Sequence, residues 1–432
     1  MPTLRLATGR ALEEVALPDT AFAGILKPKL DPAGPPAKVL ARALDAPVGA
    51  LTLERAFPGA RRATVVIPDR TRNSAQDRYL PLIVRRLADA GISPERITVL
   101  FANGTHRGHT PEERAAIAGP LPPGVALVDH DGADSNALVA LGRTPAGTDV
   151  AVNRLAVETD ALVLTGTMSF HYLAGYGGGR KCFAPGVAAH DTCVALHRRT
   201  LDPSGTSVRH PACVPGRLDG NPFHEDLMAA CALAPVRPWL FHTLLAPCGG
   251  IVGAFAGGVR EAHLAAVAPW DRAYRIRLER PADLVVASCG GHPKDINLYQ
   301  AHKSALHAVR ALRPGGTLVL LAACPDGPGA PAFAKWFDLP DLDTHADTLR
   351  AAFEIPGQTA WSLRDLAARY RIRLVSGLDP AFVARTGMQH AASAREAVAQ
   401  ALAELPADAV TCAIPEAGWV LPDTGTSAFP NP

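Results

Sequence analysis

Residues 165–187 read TGTMSFHYLAGYGGGRKCFAPGV, and the reading of this stretch decides the rest of the chain. It follows an apolar run, 161–164, whose length and aliphatic content suit a buried strand, so its polar groups emerge at a strand's C-terminal end. Open α/β sheets bind their ligands there. The stretch holds His171, the glycines Gly175, Gly177, Gly178 and Gly179, the pair Arg180-Lys181 and a turn at Pro185-Gly186. Glycines this dense let a backbone approach a bulky anion and aim N–H groups at it, while Arg180 and Lys181 add positive charge. That combination points to a cofactor or phosphate cradle, although a glycine-rich segment also suits a plain turn. Neither standard nucleotide fingerprint fits. Lys181 follows Arg180 where a P-loop has Gly-Lys-Ser/Thr, and the spacing is not G-x-G-x-x-G.

Upstream, residues 63–68 (ATVVIP) read as another buried strand, ending in Asp69-Arg70-Thr71-Arg72. Two arginines at that edge can clamp a carboxylate or phosphate and Asp69 can orient one of them; a salt-bridged surface turn is the alternative. A helix over 79–90 leads to a strand at 97–101 and then to Asn103-Gly104-Thr105-His106-Arg107. Thr110-Pro111-Glu112-Glu113 opens the next helix as a capping box, which fixes the loop carrying His106. His106 and His171 both follow strands of one sheet, so they suggest paired acid/base work. Downstream, a helix over 189–199 carries His190 and His197 seven residues apart on one face, and histidine is a common ligand of borderline metals. Cys182, beside Lys181, is the cysteine placed nearest this chemistry.

At 432 residues the chain exceeds one ordinary core, and its 48% hydrophobic and 19% charged residues suit a globular enzyme. A net charge of +2 leaves no basic excess for nucleic acid. No segment has the make-up of a signal peptide or a membrane span, so a cytoplasmic protein without membrane contact is expected. The 8 cysteines form no C-x-x-C pair, against a zinc ribbon or disulfide framework. Residues 1–60 look like a leading segment that packs on a larger body. A short helix is expected at 153–159.

From residue 283 strands and helices alternate afresh: strand 284–287, helix 297–312, strand 317–321, helix 363–370, strand 372–375, helix 392–405, strand 409–414. The expected architecture is α/β, two domains with mixed or parallel sheets flanked by helices and the active site in the cleft between them. An N-terminal catalytic and cofactor-binding domain spans 1–278, and a smaller C-terminal α/β domain with a tail spans 279–432. The first strand of the second domain ends in a glycine turn, Gly290-Gly291-His292-Pro293-Lys294-Asp295. Tyr299, Gln300 and Lys303 then share a face near a helix N-terminus, as a carboxylate site requires.

With DRTR (69–72), NGTHR (103–107), SFHYLAGYGGGRK (169–181), VALHRR (194–199) and GGHPKDINLYQAHK (290–303) assembled, the sequence closely resembles the nickel-dependent lactate racemase family of 2-hydroxyacid racemases and epimerases. The resemblance runs from about residue 60 to about 320. It implies a nickel pincer nucleotide, a pyridinium-3-thioamide-5-thiocarboxylic acid mononucleotide, joined covalently to Lys181. His197 matches the imidazole ligand of nickel, and His106 and His171 match the two catalytic histidines. Asp69, Thr71 and Arg72 match the motif that holds cofactor and substrate, with Gly177, Gly178 and Gly179 beside the cofactor and Arg72, Tyr299, Gln300 and Lys303 binding substrate.

The implied partners are a small 2-hydroxy acid and the cofactor-synthesis enzymes that mature the protein. The implied reaction inverts Cα by hydride transfer to and from the pincer. A non-catalytic pincer-nucleotide binding protein, or a pincer-dependent dehydrogenase or dehydratase, is the alternative. Where the family commonly has glycine followed shortly by His-Lys, this chain reads Gly357-Gln358-Thr359-Ala360-Trp361, which leaves room for a larger, polar or aromatic hydroxy acid or a sugar acid.

Overall fold

The computed structural model describes all residues except 1–2, 19–20, 32–33, 206 and 426–432, and the expected C-terminal tail lies outside the described residues over 426–432. The chain divides into two compact units. One comprises Leu30–Thr200 and Ala212–Arg272; the other comprises Met1–Lys29, Leu201–Pro211 and Ala273–Pro432.

In the first unit, six strands lie in the order Ile251–Gly258, Trp239–Leu245, Ala161–Thr167, Ala63–Pro68, Ile97–Ala102, Ala126–Asp129. Only the first pair is antiparallel. Every residue of Ala63–Pro68 and Trp239–Leu245 is buried, which is why these strands read as predominantly apolar runs rather than as alternating ones. The chain steps outward from Ala63–Pro68 to Ala126–Asp129 and then returns to place Ala161–Thr167 on the other side of Ala63–Pro68. The strand order reverses between those two strands, and their C-terminal loops open at the switch point where such sheets bind ligands.

The second unit holds a wholly parallel six-stranded sheet in the order Gln389–Ala391, Arg371–Val375, Leu312–Leu321, Ala282–Ser288, Thr411–Ile414, Phe22–Ile25. Its core packs Leu284, Val286, Val319 and Leu321 against Val398, with Leu4, Leu6, Val15 and Leu17 from the N-terminal hairpin. The expected leading segment is divided: its part through Lys29 belongs with this unit, where Phe22–Ile25 is the edge strand beside Thr411–Ile414 from the far end of the chain, while residues from Leu30 onward belong to the first unit. The hairpin also pins the glycine turn, because Asp295 accepts from the Gly9 amide at 2.6 Å and His292 donates its amide to the Gly9 carbonyl at 2.8 Å.

Two local expectations change. Residues 153–159 form only a single 3₁₀ turn, Arg154–Ala156, because Asn153 ends a strand and caps that turn through Leu155. The helix expected at 363–370 runs Ile355–Arg369. Gly357 sits inside it because a Cβ there would lie 2.4 Å from the Trp336 ring, so the residue marks a close approach and not a turn. Among the described residues no helix is long and apolar enough to cross a membrane.

Candidate functional site

Asp69 stands just past the end of Ala63–Pro68, buried, and three donors converge on its carboxylate. The Thr71 amide and hydroxyl reach Oδ1 at 3.2 and 2.7 Å, and His106 donates from Nδ1 to Oδ2 at 2.6 Å. Burial alone raises the pKa of this carboxyl; the hydrogen bonds from His106 and Thr71 and the charges of His106 and Arg72 outweigh it and hold Asp69 below its ordinary value. A carboxylate at Nδ1 fixes the neutral His106 tautomer, leaving the Nε2 lone pair to accept a proton. Arg72 is exposed on the same loop.

The loop carrying His106 is held at both ends. Thr110 and Glu113 form the expected capping box. The Gly104 amide donates to the Gly186 carbonyl at 2.8 Å, tying this loop to the Pro-Gly turn that follows Lys181. His109, a residue the sequence reading passed over, accepts the Arg70 amide on Nε2 at 3.0 Å and donates from Nδ1 to Asp129 at 2.5 Å. It thereby links the 69–72 and 103–109 loops. The signal for this role was only a second histidine three residues after the first.

A second cluster forms around Phe223, the second residue of the Pro222–Ala232 helix, which Asn221 caps by accepting the His224 amide. Its ring lies 4.9 Å from His197 and 6.4 Å from His171, and Lys181 Nζ stands 5.0 Å from its centroid. Lys181 Nζ and His171 Nε2 are 3.1 Å apart. His171 Nδ1 accepts the amides of Leu173 and Ala174 at 3.2 and 3.1 Å. The two histidines are therefore set in opposite senses, His106 with an acceptor at Nε2 and His171 with a donor there.

His197 donates from Nδ1 to the Cys193 carbonyl at 2.7 Å, which leaves Nε2 unprotonated. Burial, helped by the Lys181 charge, pushes its pKa down to about 4. A neutral imidazole with a carbonyl behind its other nitrogen suits a metal ligand. His190, on the same helix, is exposed. Among the described residues no group of three or more His, Cys, Asp or Glu is arranged to hold a metal by itself.

The glycine-rich loop owes its composition to packing. A Cβ on Gly177 would lie 2.3 Å from Ser169 Oγ, one on Gly178 2.1 Å from His242 Cε1, and one on Gly179 2.6 Å from Leu240 Cδ1. The expectation that Arg180 offers its charge to a ligand is corrected. Arg180 is fully buried and donates to the carbonyls of Ala174, Tyr176 and Gly177 and to His224 Nδ1, so its guanidinium ties the loop together. Cys182 is also buried; its thiol donates to the Thr165 carbonyl and burial pushes its pKa up, which leaves it unreactive.

In the other unit, Tyr299, Gln300 and Lys303 lie half-buried on the Leu298–Ala308 helix. Asn297 caps this helix through the Gln300 amide, and Lys303 Nζ donates to Gln300 Oε1 at 2.6 Å. The Gly357–Trp361 stretch is buried at every position.

Two family models cover most of the chain: the lactate racemase N-terminal domain matches residues 8–207 and the lactate racemase C-terminal domain residues 278–421. The lactate racemase of Lactiplantibacillus plantarum is 30% identical over 394 residues, 87% of this chain and 88% of that protein. That of Thermoanaerobacterium thermosaccharolyticum is 31% identical over 344 residues, 78% of each. The structure of the lactate racemase apoprotein from T. thermosaccharolyticum superposes with a TM-score of 0.89 at 28% identity, covering 98% of this chain and 100% of that one. A Thermotoga maritima protein shares the fold at 17% identity, with a TM-score of 0.68 over 91% of this chain and 100% of that one. With these matches spanning both units, the chain belongs to the lactate racemase family.

Proposed function

We propose that this protein is a cytoplasmic racemase or epimerase of a 2-hydroxy acid, with lactate the first substrate to test. It would work with a nickel pincer nucleotide covalently held at Lys181 and with His197 as the protein's ligand to nickel. Maturation would depend on the enzymes that synthesise that cofactor. The observation that carries this reading is the pair of histidines fixed in opposite hydrogen-bonding senses, His106 by Asp69 and His171 by two backbone amides.

The α-hydrogen of a hydroxy-carboxylate is weakly acidic, because the adjacent carboxylate already carries negative charge and resists enolisation. The bound cofactor would supply an acceptor and donor of hydride at that carbon, so that no carbanion forms. The chain's own residues do the rest. His106 withdraws the hydroxyl proton through Nε2, and Asp69 stabilises the imidazolium that results. His171 serves the opposite side, since each enantiomer presents its hydroxyl in a different direction. Arg72 would hold the substrate carboxylate, and in the other unit Tyr299, Gln300 and Lys303 are proposed for the same task.

The residues present fit the cofactor at two points. His197 offers a neutral nitrogen backed by a carbonyl, and Lys181 offers a half-buried amine beside it. The test is chiral analysis of single-enantiomer 2-hydroxy acids, lactate among them, incubated in D₂O with protein co-produced with the cofactor pathway, beside Lys181→Ala. Inversion without deuterium at Cα, lost in the variant, is expected. Inversion with deuterium at Cα overturns the hydride mechanism, and failure to invert any acid by nickel-loaded protein overturns the racemase reading.

A further inference from the structure

Each backbone amide of the turn that follows Asp69 has its own destination. Arg72 donates to the Asp69 carbonyl at 3.0 Å and Thr71 to Asp69 Oδ1 at 3.2 Å, so both stay inside the turn. The Arg70 amide leaves it and reaches Nε2 of His109 at 3.0 Å. Gln76 holds the other end, donating to the Arg72 carbonyl at 2.9 Å. A turn closed on itself keeps its shape wherever it points, so these outside contacts set its attitude towards the neighbouring loop. The one at Arg70 comes from the loop that carries His106.

The tautomer of His109 is fixed for this task. Asp129, the last residue of the strand Ala126–Asp129, accepts from Nδ1 at 2.5 Å and from the His109 amide at 2.9 Å, and Asn103 donates to the same carboxylate at 3.2 Å. Burial raises the pKa of Asp129, and the hydrogen bonds from His109 and Asn103 outweigh it, so the carboxylate stays ionised and keeps the proton of the neutral ring on Nδ1. Nε2 then has a lone pair for Arg70. The His109 side chain is wholly enclosed, its ring 4.8 Å from that of Phe101, whereas 42% of the His106 side chain is exposed. His109 is therefore shut off from any substrate. The two histidines cross-link the same two loops in opposite directions: His106 donates to the side chain of Asp69, and His109 accepts from the backbone of Arg70.

We infer that His109 is a positioning residue: braced by Asp129, it holds the 69–72 turn so that the Asp69 carboxylate meets Nδ1 of His106, and through Asp69 it sets the His106 tautomer. It moves no proton itself. A base has to stand within hydrogen-bond reach of the proton it takes, in the right tautomer, and a small displacement of the group that orients it is felt in the rate. That the effect reaches kcat rests on the proposed function; the effect on the His106 ring does not.

Two substitutions separate the two ends of the His109 ring. His109→Gln presents an oxygen at the reach of Nε2 and keeps an acceptor for Arg70, while His109→Asn presents an amide at the reach of Nδ1 and keeps a donor to Asp129. Ring-nitrogen NMR of the histidine-labelled chain, with the His106 signals assigned by their loss in His106→Gln, reads the tautomer without turnover. Wild type and His109→Gln should hold His106 in the Nδ1–H form, and His109→Asn should mix the two tautomers. In protein co-produced with the cofactor pathway, His109→Asn should lower kcat about ten- to a hundredfold with KM within about twofold, and His109→Gln should recover kcat to within about threefold of wild type. Asp129→Asn reaches the same contact from the other side and should give the same loss, which decides the matter if His109→Asn does not fold. A single His106 tautomer in both His109→Asn and Asp129→Asn overturns the inference, as do equal losses of kcat in the two His109 variants that follow their melting temperatures. A mixed tautomer in a chain that inverts no hydroxy acid would leave the positioning role standing while the racemase reading falls. Inversion with an unmoved tautomer would do the reverse.

Discussion

His106 donates from Nδ1 to Oδ2 of Asp69 over 2.6 Å, and the carboxylate is buried while the imidazole is exposed. The acid orients this ring through Oδ2 and holds Thr71 through Oδ1. Asp69→Asn keeps the shape but replaces an obligatory acceptor with an amide that can offer either end, which favours the wrong tautomer. The expected loss in kcat is about 10²- to 10⁴-fold with KM little changed. It is measured as the initial rate of lactate inversion beside a thermal melt. An unaltered kcat in a variant that melts like the wild type would remove Asp69 from the proton path.

The glycines give a prediction independent of any activity. Gly178 has φ +117 and leaves no space for a Cβ, whose nearest neighbour would be the ring of buried His242. Gly178→Ala should cost about 1–3 kcal/mol from overpacking, and left-handed strain adds about 1–2 kcal/mol. Gly59, with φ +76 and nothing within 4 Å, meets the strain alone, so Gly59→Ala should cost only that smaller part. Urea midpoints of the two variants test the difference, and equal midpoints would show that the loop simply moves away.

What the sequence disclosed follows from burial on both faces. Ala63–Pro68, Trp239–Leu245 and the start of Ala161–Thr167 read as strands because burial on both faces selects mostly apolar side chains, with Thr64, His242 and Thr243 the buried polar exceptions, and the polar residues after them then mark the sheet edge. Phe22–Ile25 gave no such signal. Its alternation is weak, and its partner strand, Thr411–Ile414, lies at the other end of the chain. The density of glycines was legible, but its cause was not, since Ser169, His242 and Leu240 are brought against them only by the fold. Likewise Phe223 is a generic apolar residue in sequence and a hub in space.

Lys303 and Gln300 form an ammonium–amide pair at 2.6 Å on a capped helix, which keeps the lysine head in place before any ligand arrives. If this pair receives the substrate carboxylate, Lys303→Met removes a charge-assisted hydrogen bond of about 1.5–3 kcal/mol. KM for the hydroxy acid should then rise about ten- to a hundredfold. An unchanged KM would take Lys303 out of substrate binding.

Stability should depend on pH through buried histidines. His242, His302 and His307 are nearly or wholly inaccessible, and burial first, then the charges of Arg180, Lys303 and Arg310 respectively, pushes them down to about 3, 3 and 4. In the unfolded chain each titrates near 6.5. Below that pH the unfolded state binds protons that the folded state refuses, so stability falls as pH drops from about 6.5 towards 4, by up to about 1.4 kcal/mol per unit for each fully protected ring. Above about 6.5 these groups are neutral in both states and contribute no slope. Asp69, whose folded pKa is depressed, adds in the same direction lower down: its stabilisation is present above about 3.9 and is lost as the pH falls through its folded value. Thermal melts from pH 7.5 to 4.5 should show a plateau and then a steep decline that His242→Phe makes shallower. A profile level down to pH 5 would mean that these rings accept protons in the folded state, and that the packing around them opens to let water in.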